Sequence, residues 1–497
     1  MADIDNEELK KQRQFAELQK LSLVDLERFP YRTQEMVVGT YTKDQLKEYL
    51  KAPELEANQK ALRKISRFLY NASTHYKRLV QDFATMLTLD HYLEPYSLNP
   101  DKVNKKTFKT AYLKAVDVVE NMNIKHEMGK VQQYVYRDGI FYGYIHSNKE
   151  SFFLQYLDPD FCKITFVEDG LFGFAFNFQY FNTYPERLDM FPDEFKQIYN
   201  DRFGGKGNRK KGNSSTYWVN LDINNTICIK VDEATWYPIP PFVGVFEDIL
   251  NISDFKALQK TSEEIGNYKL LFQQIPLDEK TGDANKFLLT EDYAKLFHDN
   301  IEENLPKQVG IITGPMKVEA INFDKDTTDK NRVMDSIRQF WSNAGVDQKL
   351  FSGDTSGSVG LNASIRTDEA VAFTLLKQIE RWLNKYAKQN INGIYKFRVK
   401  MPEITIFNQE ELRQQLLKEA QFGLPVKTRL LAAGGASPSA VTNMTFLENE
   451  ILKLQESFIP LSSAHTGGMT EGGAPIKSVK SDAGDKTADS NSNDNRA

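Results

Sequence analysis

Apolar residues recur at helical spacing over roughly the first hundred positions. Leu62, Ile65, Leu69 and Ala72 form one such series, and Leu79, Phe83 and Met86 another. Steps of three and four place these side chains on one face of a helix. A further helix is predicted from Thr107, with Phe108, Ala111, Ala115, Val118 and Met122 aligned. From Val131 to Phe178 the pattern changes to short aromatic and β-branched runs. These are separated by Asp138-Gly139, Ser147-Asn148, Asp158-Pro159 and Asp169-Gly170, which predicts a meander of strands. A basic loop, GNRKKGNS, follows at Gly207 to Ser214. Strand patterning resumes over Thr216–Leu221 and Thr226–Val231, split at Asn224-Asn225. The segment WYPIPPFVG then ends the region, because its three prolines suit neither a helix interior nor a central strand.

The second half begins with a helical stretch from Val245 to about Tyr268. A mixed insert runs on to Phe323 and contains a strand pair, QVGIIT and MKVEAINF, joined at Gly314-Pro315. The next helix starts near Thr328, with Val333, Ile337, Phe340, Trp341 and Ala344 on its apolar face. The loop SGDTSGSVG occupies Ser352 to Gly360. A long helix is predicted from Thr367 to Lys388, with Val371, Leu375, Ile379, Trp382 and Tyr386 in register. A short strand, KFRVKMPEITIF, leads to a helical block from Gln409 to Gln455, broken at Gly423-Leu424-Pro425 and Gly434-Gly435. From about Pro460 the chain has too few apolar residues to offset the entropy of ordering, and disorder is expected. The fold class is α+β and mainly helical, with no internal repeat.

Composition narrows the function. The 497 residues suffice for several packed regions, and an aromatic content of 12% excludes global disorder. A net charge of -5 argues against a surface that grips nucleic acid throughout, since such binding neutralises phosphates with Lys and Arg. It leaves room for a protein past which DNA slides. Cys162 and Cys228 sit among strand-like apolar residues and read as two buried thiols. The first twenty or so residues are charged and predict no signal peptide. No apolar run approaches the roughly 18 residues of a membrane span. A product assembled in the cytoplasm is expected.

Catalytic signatures are missing from the sequence. Gly207 to Ser214 reads G-x-x-x-x-G-N-S and lacks the Lys of a phosphate-binding loop. His75, His91, His126, His146, His298 and His465 show no paired metal spacing, and His126-Glu127 is not followed by a zinc protease's second His. Asp324, Asp326 and Asp329 precede a helix, where carboxylates cap amides and favour the dipole. Asp158 and Asp160 flank a proline and read either as an aspartate turn or, with Glu168, as a divalent-ion nuclease site. No G-x-S-x-G elbow occurs. No catalytic, cofactor or metal residue is assigned, and the chain is not expected to be an enzyme.

The order of elements nevertheless resembles a known family. The run QVGIITGPMKVEAINFDKDTTDKNRVMDSIRQFWSNAGVDQKLFSGDTSGSVGLNASIRTDEAVAFTLLKQIERWLNKY resembles the portal proteins of tailed double-stranded DNA bacteriophages. The later FGLPVKTRLLAAGGASPSAVTNMTFLENEIL is similar to that family's C-terminal helical block. The likeness covers Val245 to Gln455, while the N-terminal half agrees in element order only. Many relatives carry Pro where this chain has Asp347, which blurs the boundaries of the loop that follows.

The resemblance implies an N-terminal wing region over 1–244, a first stem helix over 245–269 and a clip over 270–323. It implies a second stem helix over 324–346, a tunnel loop and long wing helix over 347–408, a crown over 409–459 and a tail over 460–497. It implies a ring, most often of twelve subunits, at one capsid vertex of the virion. Double-stranded DNA would pass through it during packaging and ejection. The terminase large subunit, a head-tail adaptor, the major capsid protein and the scaffolding protein would be its partners, with no membrane involved. Ser352, Asp354, Thr355, Ser356, Ser358 and Asn362 would face DNA from the tunnel loop, and Lys256, Lys260 and Lys269 from the stem. A loop with Asp354 and no Lys or Arg would touch phosphates only lightly, which suits sliding. Another neck or collar ring protein is the alternative within the virion.

Overall fold

A computed structural model of the chain describes residues 41–96, 98–203, 217–252, 254, 269–274, 289–304, 309–314, 328–347, 350 and 358–454. The fold is α+β and mainly helical, as expected. The chain divides at Ser439 into a large unit and a C-terminal one. In the large unit, α1 (Lys43–Lys51), α2 (Glu56–Ala72) and α3 (Thr74–Met86) come first. Thr42 and Gln45 form a reciprocal capping box on α1. Ser73 ends α2 and caps α3 by accepting from the Tyr76 amide, so one residue makes the corner between two helices. The predicted faces are buried except at Ala72, which is exposed at the end of α2: Leu62, Ile65 and Leu69 pack with Leu79, Val80 and Phe83 in one core.

Two expectations in this half are corrected. Strand β1 (Tyr92–Tyr96) lies in the stretch read as helical. It is held by β10 (Lys396–Lys400), some three hundred residues later, with Tyr92 opposite Lys400 and Tyr96 opposite Lys396. Local propensity cannot report a partner that distant. Conversely Val131, Val135 and Tyr136, read as the first strand, belong to helix α5 (Ile124–Asp138), which follows α4 (Lys105–Asn121). Ile124, Met128, Val131 and Val135 lie on one helical face and are buried against α2 and α3. Burial of that face overrides the β preference of Val and Tyr. Asp138-Gly139 is therefore the C-terminus of a helix. Gly139 takes a left-handed φ of 85°, and a Cβ there would collide with the Ile239 carbonyl.

The meander then forms as two antiparallel sheets. In one, β2 (Ile140–Ser147) is central between β3 (Phe152–Leu157) and β7 (Thr226–Lys230). In the other, β5 (Leu171–Asn177) is central between β4 (Cys162–Glu168) and β6 (Trp218–Asn220). Short helix α6 (Tyr180–Thr183) and α7 (Asp193–Phe203) complete a second core of Phe174, Phe176, Phe178, Phe181, Phe191 and Phe195. The rings meet mainly edge-on or tilted, as between Phe181 and Phe191 at 4.9 Å and 90°. Cys162 and Cys228 are free and buried in this core, as predicted.

Beyond the proline segment, residues 246–252 form helix α8. Strand β8 (Lys269–Gln274), helix α9 (Glu291–Asn304) and β9 (Val309–Gly314) follow. QVGIIT is thus a strand, but its described partner is β8, in parallel register from Lys269–Val309 to Gln274–Gly314. MKVEAINF lies outside the described residues. Next come α10 (Thr328–Asn343), α11 (Ser358–Asn390), β10, α12 (Gln409–Gln421) and α13 (Lys427–Ala433). The breaks between α12, α13 and α14 (Pro438–Phe446) fall at the predicted Gly-Leu-Pro and Gly-Gly positions. Ile404, Leu416 and Ala433 give α12 and α13 a small core of their own. The C-terminal unit continues α14 into a π-helical turn, Leu447–Ile451.

Candidate functional site: the long helix that follows the Ser/Gly loop

Helix α11 spans 33 residues, which at 1.5 Å per residue is about 50 Å. Its C-terminal two thirds are fixed by side chains that complete strand edges. The Gln378 amide brackets the outer edge of β7: Nε2 donates to the Lys230 carbonyl at 2.8 Å, and Oε1 accepts from the Lys230 amide at 3.4 Å. Asn384 does the same for Val399 in β10, at 2.9 Å in both directions. Trp382 Nε1 donates to the Thr226 carbonyl at 3.1 Å, and Lys385 Nζ to the Ile223 carbonyl at 3.2 Å. Glu380 accepts from Lys400 and from the Met401 amide, each at 2.8 Å. An edge strand needs such partners for its amides and carbonyls. One helix therefore ties β7 and β10 together. Glu380, Gln378 and Asn384 are polar residues interleaved with the apolar series, and that interleaving is the signal by which the sequence could have exposed them.

The apolar face is rotated from the predicted one. Leu375, Ile379, Trp382 and Tyr386 are buried as expected, joined by Ala372, Leu376 and Leu383. Val371 is 43% exposed and does not belong to the face. The helix also starts earlier than predicted, at Ser358. Ser358 and Asn362 are therefore helical and not part of a loop. Asn362 is exposed, as is Arg366 one turn later on the same side. Arg366 was not singled out in the sequence, although its i+4 spacing from Asn362 marks it. The start of α11 thus presents polar groups with a single Arg, and the arrangement pairs no nucleophile with a base.

The remaining predicted positions fall as follows. Ser352, Asp354, Thr355 and Ser356 lie outside the described residues, as do Lys256, Lys260, Asp324, Asp326 and the basic loop at 207–214. Lys269 is the first residue of β8 and so is on a strand, where a stem helix was expected. The parallel pairing with β9 fixes an extended backbone there. Asp329 is in the first turn of α10, where a carboxylate favours the helix dipole.

Of the three carboxylates considered for nuclease chemistry, Glu168 is exposed on β4, and the two aspartates are committed elsewhere. Asp160 Oδ1 accepts from Arg63 at 3.1 and 2.8 Å, and Asp158 Oδ1 accepts from the Asp160 amide at 3.1 Å in an aspartate turn. Burial pushes the Asp158 carboxyl up, with Arg67 pulling the other way. Arg67 and Arg137 both grip Asp138. Burial alone would raise the Asp138 carboxyl, but the two guanidinium groups outweigh it and hold it well below the usual range. Tyr156 stacks on Tyr134 at 4.2 Å beside this network and accepts from Arg67 Nη2 at 3.0 Å. The network joins α2 and α5 to the turn before β4. Isolated arginines in the sequence give no sign of it. Among the described residues no group of three His, Cys, Asp or Glu is placed to hold a metal ion. His91 and His146 are buried, and burial lowers both, His146 to about 4. No described helix is long and apolar enough to cross a membrane.

No family model matches the chain, and no curated protein matches it. Solved structures similar in backbone include chains of gene transfer agent particles. A chain of the virion of a native gene transfer agent particle is 12% identical, with 74% of this chain and 94% of that one covered and a TM-score of 0.40. A chain of the neck of the empty particle, computed with C6 symmetry, is 14% identical, with 73% and 93% covered and a TM-score of 0.39. A chain of the neck of the native particle, computed with C12 symmetry, is 12% identical, again with 73% and 93% covered, at a TM-score of 0.38.

Proposed function

We propose that this chain is a portal subunit: a non-enzymatic structural protein that forms a ring at one capsid vertex, through which double-stranded DNA is packaged and ejected. The reading rests on the order of elements. A β-containing segment with β8 and β9 is followed by α10, a Ser/Gly-rich connection, a helix of 33 residues and a broken helical block. That is the order the sequence resemblance implies for clip, second stem helix, tunnel loop, long wing helix and crown. The assembly is a homo-oligomer, taken as a dodecamer, built from one heterologous contact repeated around an axis. The ring docks the terminase large subunit and later the head-tail adaptor, within a shell of major capsid and scaffolding proteins.

In this reading Ser352, Asp354, Thr355 and Ser356 approach the duplex, with Asn362 and Arg366 behind them on α11. Lys256 and Lys260 supply loose contacts from the stem. Electron micrographs of the purified full chain test the proposal. Rings with a central hole are expected, and a persistent monomer across protein and salt concentrations would overturn it. Labelling in assembled particles at a single vertex before tail attachment separates a portal from a neck or collar ring.

A further inference from the structure

About three turns in, α11 carries acidic side chains where the helix meets α3. Asp368 is only 5% exposed, and Glu369 beside it 7%. Asp82 on α3 is near enough for its charge to act on Asp368. The Oδ2 atoms of Asp82 and Asp368 are both buried, with no hydrogen-bond partner among the described residues. A buried, ionised and unpaired carboxylate carries a large desolvation cost, which is avoided by keeping the group neutral. Among the described residues no cation relieves Asp368. On α3 the charged group nearby is Arg78, which acts on Asp82. On α11 it is Glu369, whose Oε1 already accepts from Thr405 Oγ1. From the segment after β10, Thr405 and Asn408 are neutral. Thr405 also bridges to Leu87 at the end of α3, so α3, α11 and the entry to α12 meet here.

We propose that Asp368 is held as the neutral acid in the folded chain beside Asp82, and that release of its proton to solvent loosens the N-terminal turns of α11 from α3. Burial first, then the charges of Asp82 and Glu369, push the Asp368 carboxyl up to about 7. Burial raises Asp82 as well, against the pull of Arg78. Because the folded state favours the neutral acid, the stabilisation is complete below the unfolded carboxyl range. It is lost as pH rises through about 7. The seat of the helix that follows the Ser/Gly loop therefore responds to proton activity near neutrality. This holds whether or not the chain is a portal.

Amide hydrogen exchange of the full-length protein at pH 6 and pH 8, corrected for intrinsic chemical rates, tests the device. Peptides covering 360–372 should lose protection by roughly threefold to tenfold at the higher pH, while the β4–β5 hairpin stays constant. In Asp368→Asn the same peptides should keep at pH 8 the protection seen in the parent at pH 6. Asp82→Asn removes a charge that raises Asp368, so its transition should move to lower pH. An Asp368→Asn variant that keeps the pH dependence overturns the proposal. So does a parent whose 360–372 protection is the same at both pH values, or an Asp82→Asn transition that does not move.

Discussion

Asp138 is fully buried between α2 and α5, and its charge is sustained by Arg67 Nη2 at 3.0 Å and Arg137 Nε at 2.8 Å. Removing the carboxylate would leave two guanidinium groups facing each other with their main anion gone. Asp138→Ala should cost about 3–5 kcal/mol, read as a fall in the urea or thermal midpoint. Because its folded carboxyl is depressed, the stabilisation is present at neutral pH and lost as pH falls below the unfolded value of about 3.9. Asp138→Asn should therefore flatten the acid limb of the stability profile. Asp368 works in the opposite direction, so one chain carries carboxylates tuned by pairing and by isolation. Gly139 is a second residue-scale test. Its left-handed φ and its approach to Ile239 predict that Gly139→Ala destabilises by on the order of 2 kcal/mol, seen in the same melts.

At the scale of elements, α11 acts as a clamp. Trp382 fills the space over β7 and donates to the Thr226 carbonyl, so Trp382→Ala removes packing and leaves a buried acceptor unpaired. A loss of about 3–5 kcal/mol is expected, with reduced exchange protection concentrated in Thr226–Lys230. The rotated face gives the contrasting control. Val371→Asp, on the exposed side, should change stability by no more than about 0.5 kcal/mol, whereas Leu375→Asp should prevent folding. Equal effects of the two would show that the face runs where the sequence series first suggested. Helix α5 teaches the same lesson in reverse. Its VQQYVYRD run looks strand-like residue by residue, yet the longer series from Ile124 through Met128 to Val135 keeps helical period. A wider window would have recovered it, while β1, paired with residues three hundred positions away, was beyond any window.

For the whole molecule, the balance of charge sets how a ring could treat DNA. A chain with net charge -5 and Asp354 in the Ser/Gly-rich sequence before α11 should release few counterions on contact. On the proposed portal function, the ring is expected to bind duplex DNA weakly, with a shallow dependence on salt. Asp354→Lys, repeated in every subunit, should tighten binding and steepen the slope of log affinity against log salt by several units, measured by fluorescence anisotropy. An unchanged slope would place that loop away from the duplex.

The sequence by itself determined the α+β class, the faces of α2 and α3, most strands of the two sheets and the breaks between the last helices. Each of these follows from periodicity or from Gly and Pro, whose effects are local. It also carried the order of elements from which the portal reading comes. The tertiary structure alone decided the pairing of β1 with β10, the parallel partner of β9, the early start and rotated face of α11, and the two charge clusters. Those depend on which side chains meet across long sequence separations. Whether a carboxylate is neutralised by arginines, as at Asp138, or left facing another acid, as at Asp368, is fixed only when helices pack.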